Sequence, residues 1–181
     1  MRKVILYIAM SLDGYIADCR KSVDWIKGQD DSVEMLDTYS DFFANVGTVI
    51  MGRRTYEQIT KELSPGIWPY SGAVTYVLTH DAPMVDTEDI RFTDDEPRRL
   101  INNLKEGTGK NIWICGGADV INQLMKEDLI DRFHIAMIPV VLGGGIRLFE
   151  EIGRMINLTL VETLNYNGVV EVVYDRRKVM K

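Results

Sequence analysis

The sequence predicts an α/β protein in which helices cover both faces of a mixed, mostly parallel sheet and an antiparallel hairpin closes the chain. Three observations carry this. Short apolar runs alternate with amphipathic helical patterns along the chain. Two of those runs, ending near Met51 and Cys115, pass through glycine directly into a helical stretch. Near the C-terminus two β-rich runs flank Asn167-Gly168, a strong signal for a two-residue hairpin turn. The 181 residues show no internal repeat, low-complexity segment or linker, so residues 1–181 read as one domain. A chain of this size buries roughly 70% of its unfolded surface, enough for a full core without metals or disulfides.

Taken in order, Val4 to Met10 is a continuous apolar run and predicts the first buried strand. Asp31-Ser32-Val33-Glu34 has capping-box spacing and leads into Met35, Leu36, Tyr39, Phe43 and Val46, a stripe that predicts a core-facing helix. Thr48 to Met51 predicts a strand, followed by a short helix to about Leu63 and a loop holding Pro65, Gly66, Trp68, Pro69 and Gly72. Val74 to Leu78 is a strand, and Pro97 occupies the first position of a helix carrying Leu100, Ile101 and Leu104. Ile112 to Cys115 and Phe133 to Val141 are strands separated by a helix from Ala118 to about Lys126. Leu158 to Tyr166 and Val169 to Tyr174 form the hairpin.

The formal net charge of −6 disfavours nucleic acid and anionic membrane as partners. Cys19 and Cys115 are the two cysteines; they lie far apart without metal-type spacing, which points to a reducing cytoplasm and no metal. No apolar run reaches the ~18 residues of a membrane helix.

Against this acidic background Gly52-Arg53-Arg54-Thr55 is a local exception. Gly52 permits a close turn, and Thr55 sits where a helix start offers unpaired amides. A phosphate there would meet those amides, the Thr55 hydroxyl and the guanidinium of Arg53 or Arg54. The plainer reading is a capping Thr55 beside solvated arginines. Gly116-Gly117, ahead of Ala118, Asp119, Val120 and Ile121, repeats the strand–glycine–helix pattern without charge. Small residues there admit a ligand backbone to the helix start, although a tight structural turn needs them equally. The G-x-G-x-x-G fingerprint is absent from both, and Gly143-Gly144-Gly145 does not match it.

Four segments in order resemble the dihydrofolate reductase-like family, in particular its branch related to the reductase domain of riboflavin biosynthesis. They are Ser11-Leu12-Asp13-Gly14-Tyr15-Ile16-Ala17, Met51 to Glu57, the Gly116-Gly117 turn, and Pro139 to Phe149 with its Leu142-Gly143-Gly144-Gly145 core. The resemblance covers nearly the whole chain. It implies a three-layer α/β/α dihydrofolate reductase-like fold, a homodimer and NADPH as cofactor. Gly52, Arg53, Arg54 and Thr55 then inherit phosphate binding, with Arg53 the partner of a 2′-phosphate, the charge that separates NADPH from NADH. Leu78, Thr79 and His80 fall where the family contacts the adenosine half, with an exposed loop histidine the alternative for His80. Gly116 to Ile121 would face the pyrophosphate and nicotinamide ribose, and Ile16 and Ala17 the nicotinamide ring.

On the substrate side, Asp30 stands at an offset from Trp25 comparable to that of the pterin-protonating carboxylate of dihydrofolate reductases, without the same scaffold; it is that acid or a capping carboxylate beside Asp31. Tyr15 and Cys115 occupy positions where the riboflavin branch carries a basic and an acidic residue. Asp13 either touches substrate or holds its own turn by bonding the amide two residues on. Gly143 and Gly144 could line a pocket, and Trp25, Tyr15 and Trp68 an aromatic floor, with core packing the alternative for Trp25. The expectation is an NADPH-dependent reductase of a small heterocyclic substrate; the competing class is a non-catalytic nucleotide- or ligand-binding module on the same fold.

Overall fold

A computed structural model describes residues 1–80 and 85–177. Its strands are β1 (Val4–Ser11), β2 (Tyr15–Ala17), β3 (Val46–Gly52), β4 (Val74–Leu78), β5 (Ile90–Thr93), β6 (Asn111–Gly116), β7 (Arg132–Ile138), β8 (Ile146–Arg147), β9 (Leu158–Tyr166) and β10 (Val169–Arg176). The helices are α1 (Tyr39–Phe43), α2 (Arg53–Gln58), continued by a π-helical turn over Ile59–Leu63, α3 (Pro97–Glu106) and α4 (Ala118–Lys126). Among these residues the main sheet runs β5-β4-β3-β6-β1-β7-β10-β9. Every pairing from β5 to β7 is parallel, and β10 pairs antiparallel with both β7 and β9. This is the mixed three-layer arrangement the sequence predicts, with β1 near the centre and the hairpin at one edge.

Alternation along the central strands divides the core. Val4, Leu6, Ile112, Ile114 and Ile50 point to one face and pack under α3 and α4 through Ile101, Ile121 and Leu124. Val49, Met51 and Trp113 point to the other, where α1 and α2 bring Tyr39, Phe42, Phe43, Tyr56 and the buried Ile59. Strands buried on both faces read as continuous apolar runs, which is why β1, β3 and β6 were legible.

Two expectations need correction, and two elements are additional to those expected. The helix from residue 31 is only α1; the Asn167 side chain donates to the Asp30 and Val33 carbonyls and accepts from the Asp30 amide, drawing that backbone out of helical pairing. Val33, Met35 and Leu36 are accordingly exposed. The strand expected to reach Val141 stops at Ile138, before Pro139, and the segment then turns back as β8 to pair with β2. β5, with its alternating Ile90-Arg91-Phe92-Thr93, and the β2–β8 ribbon were not anticipated. Asn167 and Gly168 do form the turn, both at positive φ (43° and 78°). Within β9, Glu162 pairs with Val173 and Leu160 with Tyr174, so Val161 is an extra, bulged residue.

Asp13 ties the turn after β1 to the glycine-rich segment. Its carboxylate accepts from the Ser11 hydroxyl (2.7 Å) and from the Leu142 and Gly143 amides (3.1 and 2.8 Å). The Ser11 hydroxyl first, and then those amides, hold the Asp13 carboxyl down at about 2. Gly145 sits at φ +139°, and a Cβ there would lie 2.0 Å from the Ala17 carbonyl oxygen.

Two outcomes follow from these contacts. A carboxyl depressed in the folded state adds stability above its ordinary value and loses it as pH falls through the folded value. The gap in Tm between wild type and Asp13→Ala is therefore expected to be constant above about pH 5 and to close between the ordinary carboxylate range and about 2, as followed by circular dichroism. Gly145→Ala is expected to lower stability in urea unfolding by more than Gly143→Ala. The latter meets no atom within 4 Å and carries only the left-handed backbone cost of about 1–2 kcal/mol.

Candidate active site

Parallel pairing carries the ends of β1, β3, β4 and β6 to one edge of the sheet. β3 and β6 are neighbours there, yet the chain leaves β3 toward β4 on one side and β6 toward β7 on the other. Ligands of open α/β sheets bind at such a divergence.

The two glycine turns meet at this point. A Cβ on Gly117 would stand 3.3 Å from Thr55 Oγ1, and one on Gly52 would stand 3.4 Å from a Val120 methyl. Gly52 and Gly117 are the extended N-caps of α2 and α4, and neither helix start is capped by a side chain. First-turn amides of both helices are thus left for another acceptor. Gly116 has φ +140°, and its peptide to Gly117 is cis. Among the described residues the Thr55 hydroxyl has no hydrogen-bond partner.

Arg53 and Arg54 open α2. Arg53 Nε bonds Glu57 Oε1 at 3.1 Å, and with Lys61 nearby this holds the Glu57 carboxyl below its usual range. Arg54 is exposed, and no carboxylate among the described residues pairs with it. Ala118, Val120 and Ile121 are buried, so these residues offer the edge their backbone rather than their side chains; Asp119 is exposed. Leu78 packs into the core, the Thr79 amide bonds the Thr93 carbonyl, and His80 is exposed at the end of β4. Ile16 also packs against the core and Ala17 is buried, both in β2.

The expected substrate residues do not converge. Asp13 does not bond the amide two residues on; its oxygens are committed to Ser11, Leu142 and Gly143. Asp30 is exposed and bonds Ser32, whose hydroxyl and amide keep its carboxyl low. Tyr15 lies under the Arg147 guanidinium (4.8 Å), Trp25 bonds the Ser22 carbonyl, and Trp68 packs on Tyr56 and Tyr70. Gly144 faces Cys19, whose Sγ would lie 3.1 Å from an added Cβ, and Gly143 is exposed.

A different group of residues gathers on the α1 face of the sheet. Ala9 and Ala136 are register partners on β1 and β7, yet both keep partial exposure although β1 lies mid-sheet. Two methyl groups leave room there for a flat molecule. Ala9 lies on β1, the sheet neighbour of β6, whose end leads into the Gly116-Gly117 turn. The wall is aromatic: Tyr7 stacks on Phe42 (4.3 Å) and meets Trp113 and His134 edge-on. Beneath it Tyr70 and Cys115 share a 3.6 Å contact. Burial raises both groups, Cys115 to about 11 despite the Tyr70 contact.

Beside Ala136 in the register lies Glu171, 1% exposed. It accepts from His134 Nε2 (2.6 Å), Thr38 Oγ1 (2.7 Å) and the Tyr166 hydroxyl. Burial pushes its carboxyl up, but the three donors together outweigh this and hold it below the usual range. Neither residue is apparent from the sequence motifs. The available signal was a lone Glu inside the Val169-Val170-Glu171-Val172-Val173 run, where an apolar side chain is the norm. Among the described residues no cluster of His, Cys, Asp and Glu could hold a metal ion, and no helix is long and apolar enough to cross a membrane.

Comparison with known proteins bears on the family and the fold. Residues 2–172 match the family model described as the RibD C-terminal domain. The chain is 43% identical to the uncharacterized protein YwjB of Bacillus subtilis (strain 168), over 97% of this chain and 98% of that one. A crystal structure of a Shewanella sp. PV-4 protein assigned to riboflavin biosynthesis superposes with a TM-score of 0.85 at 28% identity, covering 97% of this chain and 99% of the other. The Thermotoga maritima diaminohydroxyphosphoribosylaminopyrimidine deaminase/5-amino-6-(5-phosphoribosylamino)uracil reductase shares the fold, with a TM-score of 0.69 at 16% identity over 97% of this chain and 57% of that one. The chain belongs to the RibD C-terminal domain family, whose reductases have the dihydrofolate reductase-like fold.

Proposed function

We propose that the protein is an NADPH-dependent reductase acting on a small planar heterocycle of the pteridine or pyrimidine type. The observation that carries this reading is the junction of the two uncapped helix starts, with Thr55 against Gly117, where the sheet connections diverge. These residues fit a dinucleotide: amides and a hydroxyl for phosphate, arginines for a further charge, and glycines where a side chain would block approach. When bound, the cofactor supplies hydride.

In this reading the chain's own residues divide the work. The amides of α2 and α4 and the Thr55 hydroxyl hold the pyrophosphate. Arg53 or Arg54 takes the 2′-phosphate, Thr79 and His80 flank the adenosine half, and Ile16 and Ala17 border the nicotinamide. The floor of Ala9 and Ala136 takes the heterocycle beside it and keeps water from the reacting face. Exposed Leu160 and Val161 on β9, with Phe149 and Met155 before it, suit a homodimer contact.

The cofactor site is tested by isothermal titration with NADPH and NADH. Arg53→Ala is expected to weaken NADPH by roughly 1.5–3 kcal/mol and to leave NADH nearly unchanged; equal loss for both would make the arginine structural. Thr55→Val is expected to weaken both alike, because it removes a hydroxyl from the shared pyrophosphate site. Absence of NADPH binding in the wild type would overturn the reading. Oxidation of NADPH against a panel of pteridines, aminopyrimidines and quinonoid compounds then tests turnover, and binding without turnover would favour the non-catalytic module. Light scattering at micromolar protein should give twice the mass of the chain, and a monomer would remove the dimer.

A further inference from the structure

Reduction of a polar double bond needs a proton as well as a hydride, and neither Asp13 nor Asp30 is placed to give one. Asp13 holds three donors of its own, and Asp30 is spent on Ser32. The open floor has another candidate. His134 precedes Ala136 by two residues on β7 and therefore shares its face, beside the floor rather than beneath the core. Its ring is boxed edge-on by Tyr7 at 4.4 Å and Phe42 at 6.2 Å, and its side chain keeps 13% exposure.

The two ring nitrogens are differently placed. Nε2 is held at 2.6 Å by Glu171. An ionised carboxylate only accepts, so Nε2 must carry hydrogen. Nδ1 has no hydrogen-bond partner among the described residues, and it is not among the polar atoms sealed from solvent without one. It is the ring atom left to exchange a proton with a bound molecule or with water. Tyr7 and Glu171 are the titratable groups in direct contact with the ring, and others stand on the elements packed nearby. Tyr7 from β1 is pushed up chiefly by burial, Tyr166 from β9 up to about 12 and Cys115 from β6 to about 11 for the same reason. Glu171 from β10 and Asp37 ahead of α1 are held low.

We propose that His134 is the proton donor of this site, with Glu171 as its positioning residue, for planar substrates carrying a reducible C=N or C=O bond. This rests on the reductase reading above. The carbon of the double bond receives hydride and its two electrons, the π pair moves to the heteroatom, and that atom takes the proton from Nδ1. The imidazole then regains a proton from water. Glu171 keeps the ring in one tautomer and balances the imidazolium, much as a buried carboxylate orients a catalytic histidine elsewhere.

The test has two readouts. In the protein without cofactor, 15N NMR of the ring nitrogens is tractable because the chain has two histidines, and His134→Gln identifies the signal by its loss. Nε2 of His134 is expected to carry a proton in the wild type, and Glu171→Gln, which can present an amide NH2 to the ring, should shift the proton to Nδ1. A wild-type ring with Nε2 unprotonated overturns the proposal. With the best compound from the panel, single-turnover reduction by His134→Gln is expected to be roughly 100-fold slower or worse and to lose the wild-type fall at high pH. NADPH affinity should stay within about twofold of the wild type, a control for folding. Glu171→Gln should slow the step less and displace its pH profile. NADPH binding and turnover with an unchanged pH profile in His134→Gln would overturn the donor role alone, whereas failure of the wild type to bind NADPH would overturn the reductase reading together with it.

Discussion

Parallel pairing of β3, β6 and β1 is the constraint on which the rest of the molecule depends. Parallel strands need crossovers, crossovers put helices on the faces, and every strand then delivers its outgoing turn to the same edge. Segments distant in sequence, the Gly52 turn and the Gly117 turn, are thereby brought within van der Waals reach. Neither turn stands out alone; the sheet sets their two uncapped helix starts side by side. The small side chains follow from the same demand, since any bulk at Gly117 would press on Thr55.

How far the sequence revealed this depended on the range of the forces involved. Strands buried on both faces announce themselves by composition, so β1, β3 and β6 were legible, and α3 and α4 followed from Pro97 and from the apolar stripe after Gly117. The hairpin followed from two residues whose backbone preference is intrinsic. The loop at residues 31–38 was misread because the capping box there is a local signal, whereas Asn167, over 130 positions away, supplies the winning hydrogen bonds. The sequence offers Asp13 as a substrate contact or as the holder of its own turn, but besides Ser11 its partners are amides of the glycine-rich segment, which no local rule connects to it. The floor was invisible for the same reason: two alanines become one only once β1 and β7 are in register.

Glu171 illustrates the balance that polar groups strike in such a core. A carboxylate taken out of water is costly unless each oxygen is met by donors. Here the donors come from β7, β9 and the loop before α1, so the charge can be kept only if all three are in place. The loop, the hairpin and the central sheet are tied together by one side chain, beside the aromatic cluster of Tyr7, Phe42 and His134.

The bulge at Val161 has a consequence for how copies of this protein meet in solution. A long, flat edge strand with apolar side chains offers its free amides and carbonyls to any other strand, and repeated addition leads to fibres. In β9 the extra residue breaks the ladder between Leu160 and Glu162 and twists the strand there. A bulged, twisted strand is a poorer template for a neighbour than a flat one. The apolar side chains Leu160 and Val161 thus stand exposed on an edge whose backbone ladder is interrupted, which separates side-chain exposure from strand templating at this end of the sheet.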